Sequence, residues 1–110
     1  MSDVLRILGQ VAPAAATLTD LYTVSNELSV TVSSIVVCNR GGSATTFRIA
    51  FAVNGEADAT KQYVYYDIPT PAFETFIATV GFTLGPLTVV RVYAGNGNLS
   101  FQLFGVEVTP

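Results

Sequence analysis

Apolar and polar positions alternate along most of this chain. In the clearest run, Phe76, Ala78, Val80, Phe82 and Leu84 fall on one side while Ile77, Thr79, Gly81 and Thr83 fall on the other. This is the two-residue repeat that a pleated strand imposes on its side chains. Phe47, Ile49, Phe51 and Val53 repeat the pattern, with Arg48 assigned to the wet side. Further runs at Val4 to Val11, Leu18 to Val24, Leu28 to Asn39, Lys61 to Asp67, Leu87 to Tyr93 and Leu99 to Thr109 are rich in Val, Thr, Ile, Phe and Tyr. Gly, Asn, Pro and Asp punctuate the gaps, as strand-bounding turns require. No window shows the i, i+3, i+4, i+7 stripe of a packed helix. The pattern predicts an all-β protein of about eight strands. The gaps are too short for the helical crossovers of a parallel sheet, so the expected architecture is an antiparallel β-sandwich, jelly-roll-like in its strand number.

Two runs change phase midway. Val30, Val32, Val36 and Cys38 alternate, but Ile35 and Val37 are apolar as well, so the second half of that strand is either buried on both faces or bulged near Ser33. In the last run Leu99, Phe101 and Leu103 give way to Val106 and Val108 across Gly105, a residue suited to a bulge. The small, apolar, proline-containing stretch Gln10 to Thr17 reads as an extended connector, and residues 1–17 are expected to form an N-terminal arm able to lie against a neighbouring subunit. The whole chain, arm included, fits one domain spanning 1–110, since a chain of this length buries one core and not two.

Composition adds a constraint. Hydrophobic residues make up 50% of the chain and charged ones only 12%, about half the ~25% usual in soluble domains. So thin a charge cover leaves neutral or apolar surface, and the expectation is a partner that hides some of it. Net charge is −3, and Arg6, Arg40, Arg48, Lys61 and Arg91 are scattered singly, which excludes the basic stripe of a nucleic-acid binder. No run approaches a membrane-spanning helix, and Asp3 and Arg6 interrupt the start where a secretion signal needs a clean apolar stretch. A soluble, unexported chain with no membrane or nucleic-acid partner is expected, and the single cysteine fits a reducing compartment.

The densest knot of reactive groups is SIVVCNRGGSATTFRIAFAV. A nucleophilic cysteine needs a base or a cationic neighbour, and the sequence has no histidine. Cys38 therefore reads as a small buried hydrophobe, and Asn39-Arg40-Gly41-Gly42 as a hairpin turn using positive φ angles, with an anion nest as the sharper alternative. The same lack of histidine removes Ser-His-acid triads and structural zinc, so no catalytic, metal or cofactor-binding residue is assigned. Asn54, Glu56 and Asp58 alternate like oxygen ligands but lack the length and closing glutamate of a calcium loop. Asp67 and Glu74 as a glycosidase pair have nothing local to raise a pKa. Tyr63, Tyr65 and Tyr66 precede Ile68-Pro69-Thr70-Pro71, a poorly pairing segment. That cluster reads as an edge strand capping the core, as an aromatic contact surface for another subunit, or as a sugar-stacking platform.

The blocks LGQVAPAAATLTDLYTV, SSIVVCNRGGSATTFRIA, YVYYDIPTPAFETFIATVGFTL and VVRVYAGNGNLSFQLFGVEVT resemble a group of small β-sandwich virion proteins of tailed bacteriophages, capsid decoration (cement) proteins among them. The resemblance implies a non-enzymatic subunit of the virion, assembled in the bacterial cytoplasm. It implies self-association, with a trimer favoured, and contact with the major capsid protein or other virion proteins. The alternatives are a neck, tail or fibre-anchoring component and a carbohydrate- or ligand-binding module. The contact residues expected are Leu5, Ile7 and Val11 of the arm with Tyr63, Tyr65 and Phe73 around the proline edge.

Overall fold

The computed structural model describes residues 2–109 and contains β1 (Ser2–Val11), β2 (Thr19–Thr23), β3 (Ser29–Asn39), β4 (Thr45–Ala52), β5 (Tyr63–Thr70), β6 (Thr75–Leu84), β7 (Val89–Ala94) and β8 (Leu99–Thr109). Helix is confined to two 3₁₀ turns, Val53–Gly55 and Thr60–Gln62, between β4 and β5. The strands form two four-stranded antiparallel sheets, β1-β8-β3-β6 and β2-β7-β4-β5. Pairing is nested: β1 joins β8, β2 joins β7, β3 joins β6 and β4 joins β5. One long ribbon doubled back between β4 and β5 and wrapped so that its segments alternate between two sheets gives this order, which is that of a jelly roll. The expected all-β sandwich is therefore the fold.

The two inner faces share one dry layer. Val30, Val32, Ile35, Val37, Leu99, Phe101 and Leu103 enter it from the first sheet and Phe47, Ile49, Val90, Val92 and Ala94 from the second, all buried. Phe47 sits at its centre, with ring centroids of Phe76, Phe101 and Tyr65 at 5.0, 6.0 and 6.2 Å. Each such aliphatic or aromatic side chain contributes roughly 1.5–3 kcal/mol on leaving water. β6 buries Phe76 to Leu84 in the alternation the sequence predicts, partly for the first four inward positions and fully at Leu84.

The phase change in β3 is a bulge. Val32 lies opposite Gly105, but Ser34 lies opposite Phe104, leaving Ser33 as the extra residue. Even-numbered residues face the core before it and odd-numbered residues after it. This places Asn39 inside and Cys38 outside, half-buried, and corrects the expectation that the cysteine is a core residue. Gly105 is not itself the extra residue. It lies opposite Arg6 and Val32 beside the shifts of β1 and β3, and a Cβ there would run into the Thr31 carbonyl oxygen and come within 3.1 Å of Leu8.

Two further expectations fail for identifiable reasons. Val53 does not continue the inward row of β4, because the chain turns into a 3₁₀ bend there and leaves it exposed. Asn39 to Gly42 is not a hairpin, because β3 and β4 lie in different sheets, and neither Gly41 nor Gly42 has positive φ. The arch is held by Asn39, whose Nδ2 donates to the carbonyls of Ser43, Thr70 and Pro71 and whose Oδ1 accepts from the Gly41 N–H. Gly41 is needed there because the Asn98 side chain occupies the space a Cβ would take.

β1 lies along its own sheet, paired with β8 from Ser2 to Val11. The connector after it crosses to the second sheet, with Pro13 buried and the Ala16 N–H donating to the Ala94 carbonyl.

Substituting Gly105→Ala is expected to lower unfolding free energy by about 2–4 kcal/mol, because backbone and not a flexible tip blocks the added methyl. Gly97→Ala, where nothing lies within 4 Å of the new Cβ, is expected to change it by less than ~0.5 kcal/mol. Urea titration of both variants checks the contrast.

Candidate assembly surface

Strand register fixes which residues share each outer face, because directly opposed residues project to the same side. On the outside of β1-β8-β3-β6, one row is Leu5, Val106, Thr31 and Thr83, and the next is Ile7, Phe104, Ser34 and Thr79. Gln10, Gln102, Val36 and Ile77 follow, and Asp3, Val108 and Ser29 close one end. Leu5 is 79% exposed, Ile77 65% and Ile7 49%. Across four strands, Asp3 at a corner is the one charged residue among those described on this face. The bulge at Ser33 helps to build it, since the phase change turns Val36 outward.

The outer face of β2-β7-β4-β5 has the opposite character. Arg48 Nε bonds Asp67 Oδ1 at 2.6 Å, and its guanidinium lies 4.2 Å from the Tyr66 ring centre and 4.7 Å from that of Tyr93. The hydrogen bond to Asp67 raises the Arg48 pKa further above its ordinary range. Arg91 reaches Asp20 Oδ1 at 3.3 Å and the Glu56 carbonyl at 2.8 Å, tying the 53–62 segment to this face. Tyr63 donates to Asp58 at 2.9 Å, and burial followed by that bond raises its phenol pKa. Water screens these pairs, so each adds little to stability. What matters is their location, because the sandwich segregates charge to one side.

At one rim the sheets are bridged by a polar trio. Tyr22 of β2 donates to Glu107 Oε2 at 2.6 Å, and Arg6 Nε lies 3.2 Å from Glu107 Oε1. Beside this end, an open groove of about 530 Å³ is lined by Asn26, Glu27, Leu28, Ser29, Pro86, Val108 and Thr109, and it meets the uncharged face at Ser29 and Val108.

The six contact residues expected from sequence are not brought together. Leu5 and Ile7 stand on the uncharged face. Val11 and Tyr65 are half-buried against the core, Tyr65 edge-on to Phe76. Tyr63 is on the opposite outer face, at right angles to Tyr66, which is 55% exposed. Phe73 lies at the β5–β6 turn, 74% exposed, with φ of 59°. Ile77 stands on the outward row where the alternation put it, but sequence reasoning missed Val36, Phe104, Val106 and Val108 as surface residues. Their signal was present as apolar residues at both parities of one strand, which means a strand with neither face wet. Of the acidic residues, Asp67 is engaged by Arg48, Asp58 by Tyr63 and Glu56 by Lys61 at 3.9 Å. Among the described residues, no three His, Cys, Asp or Glu side chains cluster as a metal site would need.

Comparison of the chain with protein-family models, with curated proteins and with solved structures gives no match.

Burial first, and then the Glu107 carboxylate, hold the Tyr22 phenol far above its ordinary value of 10.0. The folded state therefore keeps this proton at a pH where the unfolded chain has lost it, so its stabilising effect is complete below pH 10 and shrinks as pH rises further. Tyr22→Phe is expected to lose about 1–2 kcal/mol near neutrality through the missing hydrogen bond. It is also expected to flatten the fall in stability above pH 10, as read from thermal unfolding of both chains between neutral and strongly alkaline buffer.

Proposed function

We propose that this chain is a non-enzymatic structural subunit of a tailed-bacteriophage particle, a capsid decoration protein that associates with itself and seats the outer face of β1-β8-β3-β6 on the shell. The observation that carries the reading is the segregation of charge. A four-stranded face with Leu5, Ile7, Val36, Ile77, Phe104 and Val106 and one corner carboxylate is what a sheet looks like when its natural neighbour is another protein surface. The four sequence blocks that resemble virion accessory proteins supply the kind of particle. The major capsid protein is the partner, and neck, tail or fibre-anchoring positions would use the same face against a different neighbour. Each 100 Å² of apolar surface hidden contributes roughly 2.5 kcal/mol before the losses of association, so weak contacts repeated by symmetry suffice.

The opposite face suits a sugar less well. Tyr66 is its most exposed ring, but the Arg48 guanidinium already lies over it.

Shells lacking the protein, mixed with purified chain and sedimented, test the reading. Wild type is expected to co-sediment, and Leu5→Lys/Val36→Lys to lose at least about tenfold in affinity, because two charges would be buried without partners. Arg48→Ala on the charged face should bind as wild type does. Equal binding by all three chains would show that the uncharged face is not the seat.

A further inference from the structure

The sandwich leaves four sheet edges open, those of β1, β2, β5 and β6. Three of them carry the devices that keep sheet edges from pairing. β1 has Asp3 and Arg6 and a register shift between Ile7 and Gly9. β2 is five residues long and holds Asp20. β5 is broken by two register shifts, carries Asp67 at φ 52° and includes Pro69. β6 runs for ten residues with no charge and no proline, and its one irregularity, opposite Ser33, falls at Val80 and Gly81. Along its open side, alternate backbone N–H and C=O groups have no strand partner.

Two properties of β6 select what fits there. Its side chains form a near-palindrome about Thr79: Ala78 answers Val80, Phe76 answers Phe82, and Thr75 answers Thr83. The remaining pair is Ile77 and Gly81, one large and one absent. Ile77 is 65% exposed, and a Cβ on Gly81 would meet nothing within 4 Å and needs no left-handed φ. Gly81 adjoins the register shift opposite Ser33, but neither its φ nor any neighbouring atom of the chain excludes a side chain there. A second β6 running antiparallel and centred on Thr79 would lay Ile77 of each copy over Gly81 of the other. It would also keep Phe76, Ala78, Val80 and Phe82 of both copies on the core side.

We propose that β6 pairs with β6 of a second copy about a twofold axis at Thr79, joining the two first sheets into one sheet of eight strands. The proposal rests on the assembly reading above for its biological use. The uncharged outer face then continues across the axis, and a dimer presents twice the seat to the shell. The contact is isologous and closes at two copies, unlike the trimer that the resemblance favours.

Equilibrium sedimentation and engineered cross-linking test it. Wild type is expected to dimerise, and Thr79→Lys to weaken the dimer at least about a hundredfold, because the two ammonium groups would face each other at the axis. Thr79→Val should stay within about threefold of wild type. In a Cys38→Ser background, Thr79→Cys is expected to form an intermolecular disulfide when an added oxidant takes two electrons from the two thiols, since directly opposed strand positions satisfy disulfide geometry. Ile77→Cys should not, because its twin would lie four residues along, about 13 Å away. Circular dichroism confirms that each variant folds. Dimerisation that survives Thr79→Lys, or cross-linking as fast through Ile77→Cys, overturns the axis. Wild type that is monomeric at about 100 µM yet binds shells overturns this pairing and leaves the assembly reading intact. A dimer cross-linked at Thr79 without shell affinity supports the pairing and removes the assembly reading.

Discussion

Two sheets can share one dry layer only if every strand keeps a consistent parity towards it, and in this chain β3 does so by inserting Ser33. Before the insertion Val30 and Val32 point inward, and after it Ile35, Val37 and Asn39 do. Without the extra residue, the second half of β3 would present Val36 and Cys38 to the core and turn Ile35 and Val37 to water. Asn39 would then lose its seat beneath the arch, where its Nδ2 donates to the carbonyls of Ser43, Thr70 and Pro71. One inserted serine thus decides the packing of the central strand, the cohesion of one end of the sandwich and the identity of the outward residues. Gly105 is the counterpart on β8, the point where the shifted neighbours press closest.

The same parity rule sorts charge. Once the inner faces are committed to the core, the few ionisable side chains can stand only on outer faces, loops and rims. Here they gather on one side, around Arg48, Arg91 and the 53–62 segment, and at the Tyr22-Glu107-Arg6 rim. A soluble monomer with so few charges gains most by spreading them. Concentrating them leaves one face to Val, Ile, Leu, Phe, Ser, Thr and Gln with Asp3 at its corner, a composition that suits contact with protein better than contact with water.

Much of the architecture was legible in the alternation. All eight strands stand near the runs of Val, Ile, Thr and aromatic residues, although β5 pairs with β4 on through Ile68, Pro69 and Thr70, a segment read as poorly pairing, and the choice between a doubly buried β3 and a bulge at Ser33 is settled by register. Connectivity was not legible. Asn-Arg-Gly-Gly has the composition of a hairpin turn, but local composition cannot say that β3 and β4 belong to different sheets, since that is decided by which inner face each strand completes. The surface was half legible. Leu5 and Ile7 were found because they lie in the N-terminal arm, whereas Val106 and Val108 looked like core because the last run reads as changing phase across Gly105. Tyr65 failed in the other direction: within a tyrosine cluster, parity alone turns it inward to Phe47 and Phe76 while its neighbour Tyr66 faces out.

Nested pairing also shapes how the fold is reached. Only β4 and β5 are consecutive strands that pair, and each outer layer of the nest joins segments further apart, ending with residues 2–11 against 99–109. Loop closure between such distant segments is slow, and partly formed sheets expose their edges meanwhile. A chain under that exposure gains from charged, bulged or prolyl edges, and three of its four edges are so equipped. The fourth, β6, pairs with β3 in the middle of the nest and stays neutral and free of proline along its whole length. The neutrality that makes such a strand a hazard during folding is the same property that the proposed contact between two β6 strands would use.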